Sequence, residues 1–248
     1  MCRVIGPASR TTLVLGNSLG TDSRLWSEQA GKWAQDHQVI AFEYPGHGSP
    51  DWEGEDSMES YAARVASVLD ALGVEDYLYC GLSMGGAIGM ELALMHRGRL
   101  KKLVLSNTAA DFGPADFWDM RATIARTDGI AALTDATLGR WFTREFAVRR
   151  SDVVDLARSM LAEVDPKGYA ACCKAIGSFD FGDKLSGITQ PTLVIAGTQD
   201  LATTVEQAGA LCESIPRSYY RELDTAHIAN LEGGDGFTLV VQKFLREP

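Results

Sequence analysis

The sequence predicts an α/β fold, built on a mostly parallel, doubly wound sheet that carries a helical cap. Short buried runs alternate with helical patterns over residues 12–106, and this order requires crossover connections between parallel strands. No strand-like run then appears for some seventy residues, where the pattern is helical throughout. We therefore expect a core of residues 1–109 and 181–248, and a cap of residues 110–180 inserted after the sixth canonical strand.

Composition limits the class of protein. A chain of 248 residues with 46% hydrophobic and 23% charged residues is typical of one globular domain. The formal net charge of −10 argues against nucleic acid or an anionic membrane as a partner. No apolar run approaches the roughly 20 residues of a membrane span, and we see no signal peptide. Oligomeric state is left open.

The cysteine pattern predicts reduced thiols. There are five cysteines, an odd number without metal-ligand spacing, which favours a cytoplasmic protein without structural disulfides or a metal centre. The adjacent Cys172 and Cys173 are expected to be small buried residues of a helix. We expect neither a metal nor an organic cofactor.

The elements before the serine motif follow from hydrophobic period. Apolar runs predict strands at 12–15 and 38–42, and apolar residues at helical spacing predict helices at 26–34 and from Ser57 onward. Only about a dozen residues precede the first of these strands, so an antiparallel edge hairpin is expected to be short or absent.

The best-defined motif is Gly81-Leu82-Ser83-Met84-Gly85, which lies between a buried run at 77–82 and a Gly/Ala-rich helical segment that ends near His96. Glycine two residues to either side of the serine permits a tight strand-to-helix turn. Such a turn exposes the Ser83 hydroxyl above a helix N-terminus, whose partial positive charge stabilises an oxyanion. The motif therefore predicts the nucleophile elbow that is found in α/β-hydrolases.

The second half contains the cap and the remaining strands. A strand at 100–105 precedes four predicted cap helices, and strands at 191–197 and 218–223 follow them. The predicted helices of this half are 117–125, 130–142, 153–162, 169–176, 205–214 and 236–245. A packing layer without function is the alternative to a cap.

The other catalytic parts follow later strands. Asp200 comes after the strand that ends at 197, and His227 after the strand that ends at 223, which is the chain order serine, acid, histidine of this fold. A serine hydroxyl needs an imidazole to take its proton, and the imidazole needs a carboxylate to fix its tautomer. Asp224 and Asp235 lie nearby but outside the loop that supplies the acid.

Of the four histidines, His227 is the expected base. His37 opens a strand, His96 lies at a helix end, and His47, between two glycines, is expected to order its own loop. The oxyanion hole is expected from the backbone N–H groups of Leu19 and Met84.

Several segments resemble the 3-oxoadipate enol-lactonases. They are 17–22, 80–86, 106–109, 140–143, 165–173 and 226–232, and the resemblance runs from about residue 12 to the end, including the cap. Two departures occur: Pro45 stands before Gly-His-Gly, and Ala41 stands further upstream, where the family usually has arginine. The exact lactone therefore stays open.

The resemblance implies an enzyme, a carboxylic ester hydrolase that opens the enol-lactone of 3-oxoadipate in the β-ketoadipate pathway of aromatic catabolism. Ser83, Asp200 and His227 are then the catalytic triad, and the partner is a small anionic lactone. Trp141, Arg140 and Ser18 are the candidate substrate-binding residues, although Ser18, like Asn17, is equally suited to satisfying its own loop. Most of the four cap arginines, Arg140, Arg144, Arg149 and Arg150, are expected to be solvated surface charges.

Two alternatives remain open from the sequence. The first is another cap-bearing serine hydrolase, either a carbon–carbon bond hydrolase or a carboxylesterase. The second is a ligand receptor built on the same fold, which keeps the triad but has little turnover. The cap segments that resemble the enol-lactonases disfavour the first alternative.

Overall fold

A computed structural model describes residues 2–8, 10–48 and 56–247. Its centre is a seven-stranded sheet in the order β1-β3-β2-β4-β5-β6-β7, in which β1 is antiparallel and every other pairing is parallel. The strands are β1 Cys2–Ile5, β2 Thr12–Gly16, β3 Gln38–Phe42, β4 Tyr77–Leu82, β5 Leu100–Ser106, β6 Thr192–Gly197 and β7 Ser218–Leu223. The predicted α/β fold is therefore confirmed.

Helices cover both faces of this sheet. Every residue of β2, β4 and β6 is buried, as expected of central parallel strands with helices on both sides. The core helices are α1 Ser27–Trp33 (after a 3₁₀ turn, Ser23–Trp26), α2 Met58–Ala71, α3 Met84–Met95, α9 Val205–Ser214 and α10 Ala229–Arg246. No helix in the described part of the chain is long and apolar enough to cross a membrane.

Five α-helices lie between β5 and β6, followed by a 3₁₀ turn at Gly182–Gly187. They are α4 Ala115–Thr127, α5 Ala131–Trp141, α6 Arg144–Arg149, α7 Ser151–Ala162 and α8 Pro166–Gly177, and we call them the cap helices. The first and last residues of this inserted segment lie side by side. Asp111 forms a β-bridge with Asp180, and the Phe181 N–H donates to the Ala110 carbonyl at 2.9 Å. Since α4 packs on α8, the insertion is a closed unit.

Local signals account for several helix starts. The Ser57 hydroxyl caps α2 by accepting from the Ser60 N–H at 3.1 Å, and Asp165 caps α8 just before Pro166, the residue type preferred at a first helical position. A capping box of Thr204 and Gln207 begins α9.

The structure differs from the sequence prediction at three elements. β1, which we did not predict, pairs with β3 as a single antiparallel strand in place of a hairpin; with it, the cap follows β5, the fifth strand described. The short helix α6 was not predicted either. The last helix begins at Ala229 rather than near 236, because α10 continues through a kink at Gly234, where φ is +48°.

Candidate active site

Ser83 lies at the sharp turn between β4 and α3. Its φ of 56° and ψ of −117° are a strained conformation for a residue with a Cβ atom. Hydrogen bonds from the next strand hold it there: the Ser83 N–H donates to the Ser106 carbonyl at 2.9 Å, and the Thr108 hydroxyl donates to the Ser83 carbonyl at 2.7 Å. The strain is therefore maintained by β5, the strand beside it.

The glycines of the motif are required by close backbone packing. A Cβ atom on Gly81 would collide with the carbonyl of Gly85, and one on Gly85 would collide with the carbonyl of Gly16. The Gly85 N–H also donates to the Asn17 carbonyl at 3.0 Å. The turn is thus pressed against the loop that follows β2, where the second oxyanion donor was predicted.

Asp200 and His227 form a buried hydrogen-bonded pair. His227 Nδ1 lies 2.8 Å from Asp200 Oδ2. Because a carboxylate only accepts, we assign the proton to Nδ1, which leaves Nε2 free to take a proton from a nucleophile. Both residues are at least 95% buried, with 5% and 4% exposure. The sequence prediction of these two residues as acid and base is compatible with this geometry.

Five donors surround the Asp200 carboxylate. Besides His227, they are the Thr203 hydroxyl at 2.7 Å, the Asn107 amide at 3.0 Å, and the backbone N–H groups of Ala202 and Thr203. Burial by itself raises the pKa of Asp200, but attraction to the protonated form of His227 and these hydrogen bonds hold it well below its ordinary value. Asp200 is therefore ionised at neutral pH, as the predicted acid of a triad must be to stabilise an imidazolium.

The two predicted oxyanion donors are the backbone N–H groups of Met84 and Leu19. The N–H of Met84 is at the first position of α3, where no intrahelical acceptor exists. Among the hydrogen bonds of the described residues, neither this N–H nor that of Leu19 has a protein acceptor. Both donors flank the loop contact at Asn17 and Gly85, so an oxyanion above Ser83 is the acceptor that their placement favours.

A cavity of about 240 Å³ joins these parts. It lies between the carboxyl ends of the strands and the cap helices, and its lining includes Ser83 and His227 from the core and Tyr169 from α8. The predicted substrate-binding residues Ser18, Arg140 and Trp141 line it too, as does Leu19, whereas Asp200 and Met84 lie behind the lining. Six of the eight predicted site residues thus face one space.

Arg121 of α4 also lines this cavity, and we did not predict it. Its side chain is 6% exposed and donates to the hydroxyls of Thr137 and Tyr169. Its Nε has no hydrogen-bond partner in the described part of the chain, and no carboxylate there pairs with it. A buried cation that lacks a counter-ion is suited to binding an anionic ligand. The available signal was its helical spacing from Phe117 and from the buried Ala125.

Arg140 of α5 is the second arginine of the cavity. It is half-buried over the Phe117 ring, 5.5 Å from the centroid. Burial, and then the positive charge of Arg121, lower its pKa. Arg144, Arg149 and Arg150 are exposed, as expected. The two arginines inside the cavity repel each other, and an anion between them relieves that repulsion.

Trp141 connects the cavity wall to the histidine loop. It is 5% exposed. Its indole Nε1 forms no hydrogen bond with the described residues and keeps some accessible surface. Its carbonyl accepts from the Ile228 N–H at 3.0 Å. Glu232 adds a second link, since it accepts from the N–H groups of Ala226 and Thr143.

The competing histidines are engaged elsewhere. His47 is buried, with Nδ1 2.8 Å from the Pro45 carbonyl and its ring stacked near Tyr169, and burial lowers its pKa to about 4. His96 faces the Tyr77 hydroxyl at 3.1 Å, and His37 precedes β3 at the opposite end of the sheet. None of the three lines the cavity.

The alternative acids, Asp224 and Asp235, also lie outside the cavity, as do Ala41 and Pro45, the two positions where the related family usually has arginine. Asp224 is exposed and accepts from Gln199 Nε2 at 2.8 Å, while Asp235 pairs with Lys32 on the surface. Ala41 is buried in β3, and neither it nor Pro45 is part of the lining. The Asn17 amide donates to the Phe42 carbonyl at 2.7 Å, a structural role within the loop.

Comparison with known proteins gives consistent matches. A sequence profile of the alpha/beta hydrolase fold matches residues 11–234. The 3-oxoadipate enol-lactonases 2 and 1 of Acinetobacter baylyi are 34% and 30% identical, covering 97% and 98% of this chain and 91% and 92% of their own lengths. The crystal structure of the enol-lactonase from Burkholderia xenovorans LB400 is similar with a TM-score of 0.96 at 38% identity, covering 100% of this chain and 96% of that one.

Proposed function

This chain belongs to the α/β hydrolase family and, within it, to the 3-oxoadipate enol-lactonases, and from that premise we propose that it hydrolyses the enol-lactone of 3-oxoadipate. It is a hydrolase that acts on lactone esters. The observation that carries the proposed substrate is a single cavity that contains Ser83 and His227 beside Arg121 and Arg140, two cations without a carboxylate partner in the described residues.

Acylation opens the ring. The Ser83 hydroxyl attacks the lactone carbonyl while His227 Nε2 takes its proton, and Asp200 stabilises the resulting imidazolium. The negative charge that develops on the carbonyl oxygen is met by the free N–H groups of Leu19 and Met84. Collapse of this intermediate breaks the ring C–O bond and releases an enolate that stays tethered to the acyl-enzyme.

For net hydrolysis, deacylation must be faster than reclosure of the lactone ring. A tethered enolate has a high effective concentration near the ester, so reclosure is fast until the enolate takes the proton held by His227 and becomes a ketone. His227 then activates a water molecule, which attacks the acyl-enzyme, restores the Ser83 hydroxyl and releases 3-oxoadipate. The whole sequence adds one water to the lactone.

The arginines supply recognition that the net charge cannot. With a formal charge of −10, the average field of the protein repels an anion. Inside the cavity, each charge-assisted hydrogen bond to a carboxylate is worth about 1.5–3 kcal/mol. Arg121 and Arg140 both line the cavity, and neither pairs with a carboxylate of the described chain. Arg121 and Arg140 therefore hold the side-chain carboxylate of the lactone, while the cap helices that carry them close the site from water.

The pathway and compartment are part of the same proposal. Hydrolysis of this lactone belongs to aromatic-compound catabolism through 3-oxoadipate. Five free cysteines, of which Cys80, Cys172 and Cys173 are buried, suit the reducing cytoplasm where such a pathway operates.

A panel of three substrates tests this function. Freshly prepared enol-lactone, a neutral aryl ester and a vinylogous diketone are each followed by absorbance with the purified protein. We expect kcat/KM for the lactone to exceed that for the ester by at least about a hundredfold, since only the lactone uses the arginines. Faster cleavage of the diketone indicates a carbon–carbon bond hydrolase, and a single slow turnover on all three indicates a receptor; either result contradicts the proposal.

A further inference from the structure

Asn107, at the end of β5, has no place in the mechanism above. It is 1% exposed, and its φ is +47°. Across the described residues, only Asn107 and Ser83 combine a side chain larger than hydrogen with a positive φ. Strained residues of this kind cluster at functional sites, where the surrounding structure holds them. The conformation of Asn107 therefore calls for an explanation of its own.

The Asn107 amide joins two loops of the site. Nδ2 donates to Asp200 Oδ2 at 3.0 Å and to the carbonyl of Ala226 at 3.2 Å. Oδ1 accepts from the Ser106 hydroxyl at 2.7 Å, and this contact fixes which end of the amide faces the two acceptors. Asp200 Oδ2 is also the oxygen bonded to His227, and Ala226 directly precedes His227. One NH₂ group therefore contacts both the acid and the backbone of the base.

The Asn107 side chain can cross the end of β6 only because that strand ends in a glycine, Gly197. β6 lies between β5 and β7, so the Asn107 side chain must pass the end of β6 to reach the loop after β7. Gly197 ends β6, and a Cβ atom there would lie 2.9 Å from Asn107 Nδ2 and 2.5 Å from the Ala226 carbonyl oxygen. The absence of a side chain at Gly197 leaves room for this contact.

The other donors to Asp200 act within its own loop. Ala202 and Thr203 are two and three residues away in sequence, so they fix the carboxylate relative to the turn that carries it. In the described part of the chain, the donors from elsewhere are His227 and Asn107. Asn107 therefore links the Asp200 turn to the end of β5. Its neighbours Ser106 and Thr108 bond to the Ser83 backbone, so the same segment also holds the Ser83 turn.

We propose that Asn107 is a positioning residue, which holds the acid Asp200 and the loop of the base His227 in register with each other and with the Ser83 turn. The inference rests on the proposed triad but not on the identity of the substrate. A misplacement of about 1 Å in such a constellation lowers the rate on the order of a hundredfold. The role acts on the chemical step, so it changes kcat rather than KM.

Asn107→Gly tests the proposal, since glycine accepts the positive φ without strain and removes only the amide. We expect kcat to fall about ten- to a hundredfold on both the enol-lactone and a neutral aryl ester, with KM within about twofold. Gln190→Ala is the matched control: Gln190 is a buried amide that donates to the Ala93 carbonyl at 2.9 Å before β6 begins. Its loss is expected to lower the melting temperature and leave kcat unchanged.

A double-mutant cycle separates positioning from support of the fold. In an Asp200→Ala background we expect Asn107→Gly to lower kcat by less than about threefold, because the pair that it aligns is already lost. An equal loss in both backgrounds overturns the proposal. Asn107→Ala, which removes the amide but keeps a Cβ atom, carries the test if the glycine variant fails to fold; near-normal kcat in either variant also overturns it. Aryl ester cleavage without lactone cleavage refutes the proposed substrate, and the Asn107 test then proceeds on the ester alone.

Discussion

Replacing Arg121 by methionine tests how an acidic protein binds an acidic lactone. Methionine keeps much of the length and apolar contact of the side chain against the rings of Phe117 and Tyr169 but removes the charge. Arg121 lines the cavity, so on this proposal one charge-assisted hydrogen bond to the substrate is lost. At about 1.5–3 kcal/mol, we expect kcat/KM for the lactone to fall about 10- to 100-fold, mainly through KM.

Stability is expected to change differently from activity. Arg121 is 6% exposed without a carboxylate partner in the described chain, and burying such a charge opposes folding. Arg121→Met is therefore expected to leave the melting temperature unchanged or raise it, although the Tyr169 hydroxyl loses its donor. Binding and stability oppose each other at this position, as they often do at functional sites.

The assay compares two substrates and one control variant. Initial rates are measured on the enol-lactone and on a neutral ester of similar size, with Arg144→Met as the control because Arg144 is exposed outside the cavity. We expect the ester to be hydrolysed within about threefold of wild type by both variants. Equal losses on lactone and ester, or an unchanged KM for the lactone, would refute the reasoning.

Three further predictions concern the same site. Asp200→Asn is expected to reduce kcat about 10⁴-fold, because the asparagine amide favours the wrong tautomer of His227. Asp224→Asn, at an exposed position, is expected to have little effect. The reverse result would show that Asp224 is the acid. Trp141→Phe keeps an aromatic ring but removes the indole donor, so KM rises for the lactone and hardly changes for a neutral ester; equal changes mean that Trp141 only shapes the cavity. The pKa of Asp200 lies below its ordinary value of 3.8, so its ionisation stabilises the fold above about pH 4, and this contribution is lost as the pH falls further. The free energy of unfolding is therefore expected to depend less steeply on acid pH in Asp200→Asn than in the wild type. Identical slopes would contradict this prediction.

Local patterns predicted most of the fold. The boundaries of β3, α9 and β7 agree with the sequence prediction, because each has a complete hydrophobic period and clear ends. β1 is four residues long and contains no buried residue, and it is a strand only through its pairing with β3, which no local pattern reveals. The glycines before 236 were interpreted as a break, but α10 passes through them with one kink at Gly234 and gains a turn of helix beside His227.

The chemistry of the site was easier to predict than its specificity. Ser83, Asp200 and His227 follow strands whose carboxyl ends must meet, so topology alone brings them to one edge of the sheet. Arg140 was identified by its resemblance to the family segment, but Arg121 was not, because which arginines of the cap face inward depends on how α4 packs on α8. Asn107 lay in a family-like segment, and only the three-dimensional contacts indicate its role.

The most direct test of the account is turnover of fresh enol-lactone by the wild-type protein and by Ser83→Ala, followed by loss of lactone absorbance and appearance of 3-oxoadipate. Alanine adds no atoms at the Ser83 turn, so the fold and the cavity are expected to persist, as melting curves would verify. We predict multiple turnovers by the wild type and a rate lower by about a thousandfold or more in the variant. Near-normal lactone hydrolysis by folded Ser83→Ala would contradict the central claim.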